Sequence, residues 1–413
     1  MQILPIIYLA YMFVSIYFSI LFIMLYIRNK EELFDVPKMD KIRSLSMVVP
    51  CYNEEKDIGN TIESLLKIDY PGLKKIYIVD DCSKDNSFKI IKEYAKKYPG
   101  KIIALQTPKN TGCAAGSKNY GAKFVITELI GFTDADSFPN PDAVSKIVGF
   151  FKDEKVAAVL GSNLVKNKNT FFEKLQAIEY TIISWTRKLL NYVDAIYVTP
   201  GPLTIYRTEV FNKVGKFDEK QMTEDIELTW RLVYYGYRRE MCLSAITLTT
   251  VPSKFKQWYN QRIRWNVGGL QCIKKYKSFL FRKGMLGAFI LPYFITSLFL
   301  GLLGLCIFFY LFSQRFLNIF FFTKYSFISD TAVITMENFN ITPTVLNFFG
   351  IALFLLGWVF TIYGLGVMKQ HSLKNQNLFN ILVYLVVYLT IYPFIMVPSI
   401  YKFARGKFGW GTR

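Results

Sequence analysis

A single histidine, His371, serves a chain of 413 residues, so an imidazole triad or a histidine metal cluster has nothing to be built from. General base chemistry must come from a carboxylate. Cysteine is also sparse. Cys51, Cys82, Cys113, Cys242, Cys272 and Cys306 form no C-x-x-C pair, which reads as reduced thiols rather than a disulfide or zinc scaffold. Acid is scarce against base, with 31 Asp and Glu facing 50 Lys and Arg, a net charge of +19. There is no internal repeat and no low-complexity tract.

The abundant component is apolar: 52% of residues are hydrophobic and 17% aromatic, concentrated in blocks near the two ends. Charges fill the middle. Residues 4–27 carry no charge and are long enough to cross a bilayer, so they read as an anchor rather than a removed signal peptide. Arg28, Lys30, Lys38, Lys41 and Arg43 follow at once, which puts the middle of the chain on the cytosolic side. That placement accounts for the basic excess without nucleic acid. Later apolar blocks at 285–312, 344–368 and 378–400 read as further spans of a multi-pass cell-membrane protein. Lys402, Arg405, Lys407 and Arg413 argue for a cytosolic tail, which requires an odd number of crossings. A hairpin within 285–323 would supply one.

Between these blocks, strand-like runs at 45–50, 76–81, 102–106, 129–133 and 156–160 alternate with helical stretches. This pattern predicts an α/β domain with a doubly wound, mostly parallel sheet, whose ligands bind beyond the strand carboxyl ends. A stripe through Phe171, Leu175, Ile178, Ile182, Trp185 and Leu189 marks one face of a helix and reads as packing. The division is an anchor over 1–28, a cytosolic domain over 29–256, an interfacial helical region over 257–284 and a membrane region over 285–413.

Five polar clusters fall where such a sheet places its site. Tyr52 and Glu54, after the first strand, suit a base or ribose, or a plain turn. Asp80 and Asp81 end the second strand, where a carboxylate accepts a uracil N–H, or where Ser83 and Asp85 cap a helix. Asp134 and Asp136 follow the fourth. One or two carboxylates with phosphate oxygens hold Mg²⁺ or Mn²⁺ and neutralise a departing diphosphate. Thr223-Glu224-Asp225 opens a helix running to Tyr235, where an acid either complements the helix dipole or takes a proton from an acceptor hydroxyl. Gln261, Arg264 and Trp265 combine a hydroxyl partner, a diphosphate partner and a stacking surface, the alternative being a membrane-interface anchor.

In this order and spacing, the clusters resemble the membrane-integrated family 2 glycosyltransferases with a GT-A fold, which include cellulose, hyaluronan and poly-N-acetylglucosamine synthases. Gln176–Tyr180 and Gly201–Arg207 look most like the bacterial poly-N-acetylglucosamine synthases. The resemblance implies that Asp81, with Asp80, contacts uracil, that Tyr52 and Glu54 complete donor binding, and that Asp134 meets donor and metal. It gives Asp136 to the metal and makes Asp225, beside Glu224, the base. Gln261, Arg264 and Trp265 then hold the diphosphate and the acceptor end. The implied partners are a UDP-sugar, a polysaccharide or lipid-linked acceptor and membrane lipids, with a small accessory membrane subunit as an optional addition. The implied reaction is inverting, processive β-linked synthesis with export. Single addition to a lipid or polyprenyl-linked acceptor is the alternative, and a transporter subunit is the non-enzymatic one. One departure stands out. The family's N-x-G-K-A reads Asn110-Thr111-Gly112-Cys113-Ala114 here, with Lys118 nearby but off register.

Overall fold

The computed structural model describes residues 3–328, 345–368 and 377–406. His371, Lys407 and Arg413 lie outside the described residues. In chain order the elements are α1 (Ile3–Asn29), β1 (Leu45–Cys51), α2 (Ile58–Leu66), β2 (Leu73–Asp80), α3 (Ser87–Lys97), β3 (Ile102–Gln106), α4 (Ala114–Ala122), β4 (Leu129–Phe132) and β5 (Ser137–Pro139). There follow α5 (Ala143–Val148), β6 (Val156–Val165), α6 (Phe171–Asn191), β7 (Thr204–Arg207), α7 (Thr208–Lys213), α8 (Glu224–Tyr234), β8 (Arg238–Thr249) and α9 (Phe255–Tyr276). Apolar helices follow: α10 (Leu291–Ile328), α11 (Val345–Val367), the short α12 (Leu378–Val383) and α13 (Leu389–Ala404).

The eight strands form one sheet in the order β3-β2-β1-β4-β7-β6-β8-β5. β3, β2, β1 and β4 are mutually parallel, as the strand–helix alternation requires. β7 enters antiparallel between β4 and β6, β6 then pairs parallel with β8, and the three-residue β5 closes the edge antiparallel. The result is a mixed GT-A-like sheet. Helices cover both faces, which is why β1 is apolar at nearly every position rather than alternately. Met47 and Val49 pack on one side with Ile58, Ile62 and Leu65 of α2. Val48 and Val79 pack on the other with Phe211, Leu228 and Leu232.

α6 begins with a reciprocal cap: Thr170 Oγ1 accepts from the Glu173 amide at 3.2 Å, and a Glu173 carboxylate oxygen accepts from the Thr170 amide at 3.0 Å. Its apolar stripe packs as expected. Trp185 lies 5.8 Å from the Tyr26 ring of α1 and 4.6 Å from Phe360 of α11.

Among the described residues, three helices are long and apolar enough to cross a membrane: Pro5–Asn29, Leu286–Ile328 and Leu378–Ala404. A shorter apolar stretch, Ile351–Val367, lies within α11. The hairpin expected within 285–323 is not formed; Leu286–Ile328 is one continuous helix of 43 residues. After Pro292 no proline interrupts it, and Phe308, Phe312, Phe316 and Phe320 stack one turn apart at 6.0–6.4 Å, continuing a single helical face.

Candidate active site

The carboxyl ends of the parallel strands converge on one region. At β1, Asn53 adopts a left-handed φ of 55° and turns the Tyr52–Glu54 loop towards the end of β2. There the Glu54 amide donates to Ser87 Oγ at 2.8 Å, and the Lys84 amide donates to Asn53 Oδ1, also at 2.8 Å. Tyr52 and Glu54 thus sit half-buried beside the Asp80–Asp81 pair.

Both of those acids are buried. Asp81 binds the segment leading to α4, accepting from Thr107 Oγ1 at 2.7 Å and from the Thr111 amide and hydroxyl at 3.0 and 2.8 Å. Asp80 Oδ2 accepts from Gln106 Nε2 at 2.9 Å, while its Oδ1 is sealed and has no partner. The pair therefore shapes the loop beyond the carboxyl end of β2, with Asp80 Oδ1 as the spare acceptor.

That loop delivers α4, whose small residues let it lie close on the sheet. A Cβ at Gly121 would come within 2.6 Å of Val48. Three residues earlier on the same helix, Lys118 is buried and reaches the site. Its Nζ is 2.9 Å from Glu224 Oε1 and 3.4 Å from Asp134 Oδ1. Burial opposes the Lys118 charge, but Glu224 and then Asp134 outweigh it and hold the ammonium above its ordinary pKa. Cys113, which occupies the family's lysine position, instead directs its thiol to the Glu219 carbonyl. Sequence reasoning set Lys118 aside as out of register. The signal that could have found it is a lysine directly after Ala-Ala-Gly-Ser, residues small enough to draw a helix onto a sheet.

Asp134 and Asp136 follow β4 with the buried Ala135 between them. Asp134 is partly exposed and lies against the 200–202 turn, where a Cβ on Gly201 would fall 2.3 Å from its Oδ2. Asp136 Oδ1 accepts from Ser137 Oγ at 3.3 Å. Among the described residues no three acids, cysteines or histidines gather into a closed metal cage. An open pair of carboxylates is the donor set suited to Mg²⁺ or Mn²⁺ that keeps substrate phosphates in its remaining positions. The residues present fit such an ion.

Glu224 and Asp225 open α8. Burial opposes the Glu224 charge, yet Lys118 keeps its carboxyl below the ordinary value. Asp225 goes the other way. Burial first, and then the ionised Glu224 next to it, push its carboxyl up to about 6. Two adjacent acids are thus driven apart in acidity, one held as an anion and one titrating near neutrality, the condition a general base requires.

α9 approaches α8 closely because residue 268 is glycine, where a Cβ would lie 1.9 Å from Thr223 Oγ1. Gln261, Arg264 and Trp265 share that face of α9 by helical spacing. The Arg264 charge favours the ionised forms of both Glu224 and Asp225. Gln261 Oε1 is sealed and unpartnered. The intervening Arg262 plays a different part. It is buried, 2.6 Å from Glu179 of α6, and stacks 4.0 Å from the Trp265 ring. Tyr388 donates to the same Glu179 at 2.7 Å and accepts from Trp258 Nε1 at 2.7 Å. Three of the five clusters are therefore linked through Lys118, Glu224 and Arg264. The Tyr52–Asp81 end joins them through Thr111 and α4.

Residues 43–268 match the family described as Glycosyltransferase like family 2. The chain belongs to that family. A poly-beta-1,6-N-acetyl-D-glucosamine synthase of Staphylococcus epidermidis is 31% identical over 231 residues, 55% of each chain. The synthase of the same description from Staphylococcus aureus (strain COL) is 30% identical over 257 residues, 62% of this chain and 61% of the relative. The chain thus spans a little over half the length of these relatives. A mannosyltransferase from Pyrobaculum calidifontis, solved with GDP-Man and Mn²⁺, superposes with a TM-score of 0.54 at 18% identity, covering 89% of this chain and 99% of that one. That likeness concerns the fold.

Proposed function

We propose that this family 2 glycosyltransferase moves a sugar from a UDP-sugar to an acceptor hydroxyl at the membrane, with inversion, and repeats the step to build a β-linked N-acetylglucosamine-type polymer that it exports. The observation that carries the transfer reading is the split pair Glu224 and Asp225 beside Lys118 and Asp134. In the proposed step the acceptor oxygen attacks the anomeric carbon from the face opposite UDP. The C–O bond to the diphosphate breaks as the new C–O bond forms, and the acceptor proton passes to Asp225. A general base of this kind contributes about 10²–10⁴ in rate. Lys118 and Arg264 supply positive charge where the diphosphate develops its own. Asp134 and Asp136 are the residues that would hold Mg²⁺ or Mn²⁺, which when bound neutralises the leaving diphosphate. Arg262 covers one face of Trp265, leaving the other for a sugar ring. The polymer reading rests on the synthase relatives. Donor choice and polymer length are tested together by incubating detergent-purified protein with a panel of nucleotide sugars and sizing the product. Long chains from UDP-N-acetylglucosamine are expected; a uniform one-sugar product would replace polymerisation with single addition to a lipid, and no UDP release from any donor would end the reading.

We further propose that the catalytic domain lies on the cytosolic side, with three crossings, α1, α10 and α11. Supporting this, Phe18 meets Tyr293 while Tyr11 lies near Gly304, so α1 and α10 run antiparallel. Phe22 meets Phe360 and Tyr26 meets Tyr363, so α1 and α11 run parallel. Length alone would make Leu378–Ala404 a crossing as well. Its contacts favour a helix lying along the catalytic domain instead: Phe379 is 6.0 Å from Phe171, Tyr388 bonds Trp258, and Phe403 is 5.8 Å from the Lys274 ammonium. Both ends thus touch helices too charged to enter the bilayer, and an odd count leaves Lys402 and Arg405 on the cytosolic side.

A further inference from the structure

Nearly every buried cation of the catalytic domain has an evident counterpart. Arg43 pairs with Asp40 and Glu128, Lys118 with Glu224, Arg239 with Asp194 and Arg262 with Glu179. Lys188 donates to the carbonyl of Met241 at 3.0 Å. Arg187 is the exception. It sits on α6 with 7% exposure, its Nε is sealed without an acceptor, and among the described residues its guanidinium joins no ion pair. Arginine cannot relieve this by losing its proton. A buried guanidinium without an ion-pair partner is held only at a cost, which an anion from outside would offset.

The position narrows which anion. Arg187 lies two helical turns beyond Tyr180 on one face of α6 and is within electrostatic reach of Tyr180, Tyr197 and Asp225. Asp225 also feels Lys118, which lies with Asp134 at the donor end. The proposed base therefore shares its electrostatic surroundings with a donor-side cation and with Arg187. One turn on from Arg187, Leu190 of α6 packs in one apolar cluster with Tyr197 and with Phe294 at the start of α10. The Tyr197 ring is 4.9 Å from Phe294 and 6.5 Å from Tyr293 at the start of α10, and Tyr293 is 5.2 Å from Phe18 of α1. A planar guanidinium matches phosphate oxygens in pairs, whereas a neutral sugar chain offers it no charge.

We propose that Arg187 binds the phosphate of a lipid-linked acceptor entering between α1 and α10, holding its sugar hydroxyl towards Asp225. This deepens the glycosyl-transfer reading and rests on it, but its test requires no turnover. The full chain in phosphatidylcholine nanodiscs is titrated with farnesyl phosphate and with farnesol, and UDP affinity is measured in parallel. The wild type should bind the phosphate about tenfold more tightly than the alcohol, the effect of one charge-assisted contact. Arg187→Met should remove that preference, and Arg187→Lys should retain part of it. Neither should change UDP affinity or lower the melting temperature, since an unpaired buried charge is being removed or replaced. Equal binding of both lipids by the wild type, or an undiminished preference in Arg187→Met, would overturn the proposal. Loss of UDP affinity in Arg187→Met would assign the residue to the donor diphosphate instead, and a fall in melting temperature with the preference intact would mark it as structural. Failure of the wild type to bind UDP would count against the glycosyl-transfer reading itself, independently of the lipid result.

Discussion

The ammonium of Lys118 stands 2.9 Å from the carboxylate of Glu224, joining α4 to the first turn of α8 inside the catalytic domain. Both side chains are nearly sealed from solvent, at 3% and 7% exposure, so neither charge has water to fall back on. This pair fixes Glu224 as an anion, and that anion in turn helps raise the pKa of Asp225.

Breaking the pair from one side should be costly. Lys118→Met leaves a buried carboxylate unpaired, with an expected loss of about 3–5 kcal/mol in stability. Adding Glu224→Gln should recover much of that loss without recovering transfer. Denaturation of the detergent-solubilised variants checks the first expectation and a transfer assay the second.

The acidity of Asp225 sets a pH dependence. A base must be deprotonated, so kcat/KM should rise with pH through about 6, the value to which burial and Glu224 raise this carboxyl. Glu224→Gln removes the neighbouring negative charge and leaves Lys118 with Asp134 as its one ion-pair partner, and both changes favour the ionised form of Asp225. The acid limb of the profile should therefore move to lower pH. A limb that stays in place would show that another group controls it.

Asp136→Asn should abolish the metal-dependent part of UDP binding while leaving the fold intact, because a partly exposed acid-to-amide change typically costs under about 0.5 kcal/mol. Calorimetric titration of UDP with Mn²⁺ and again with EDTA checks this. Wild-type affinity in the variant with Mn²⁺ would remove Asp136 from the metal role.

Membrane topology is open to the same directness. In a Cys306→Ala background, a cysteine replacing Arg405 should react with an impermeant maleimide only after cells are permeabilised. Labelling in intact cells would make Leu378–Ala404 a true crossing.

The parallel half of the sheet and the five clusters were legible in the sequence because β1 to β4 are continuous apolar runs ending in polar residues. β7 and β8 were not. β7 has four residues, and β8 opens with the charged run Arg238-Arg239-Glu240, whose partners, such as Asp194 for Arg239, are distant in sequence. The linkage of the site was hidden for a similar reason. Lys118 and Glu224 are 106 residues apart, and no spacing rule connects a lysine on one helix to an acid at the start of another. Glu179 was visible only as part of a family-like Gln-Ala-Ile-Glu-Tyr string. Its role as the shared acceptor of Arg262 and Tyr388 depends on α6, α9 and the Leu378–Ala404 helix meeting in space.

The central claim is that this carboxylate pair transfers a UDP-bound sugar with Asp225 as the base, and one comparison tests it most directly. Wild type and Asp225→Asn are reconstituted in nanodiscs, UDP affinity is measured by titration, and sugar transfer from labelled UDP-N-acetylglucosamine is followed in the same preparations. The account predicts transfer by the wild type, a loss of about 10²–10⁴ in the variant, and unchanged UDP affinity in both. Transfer that survives in Asp225→Asn, or UDP affinity that disappears along with it, would contradict the account.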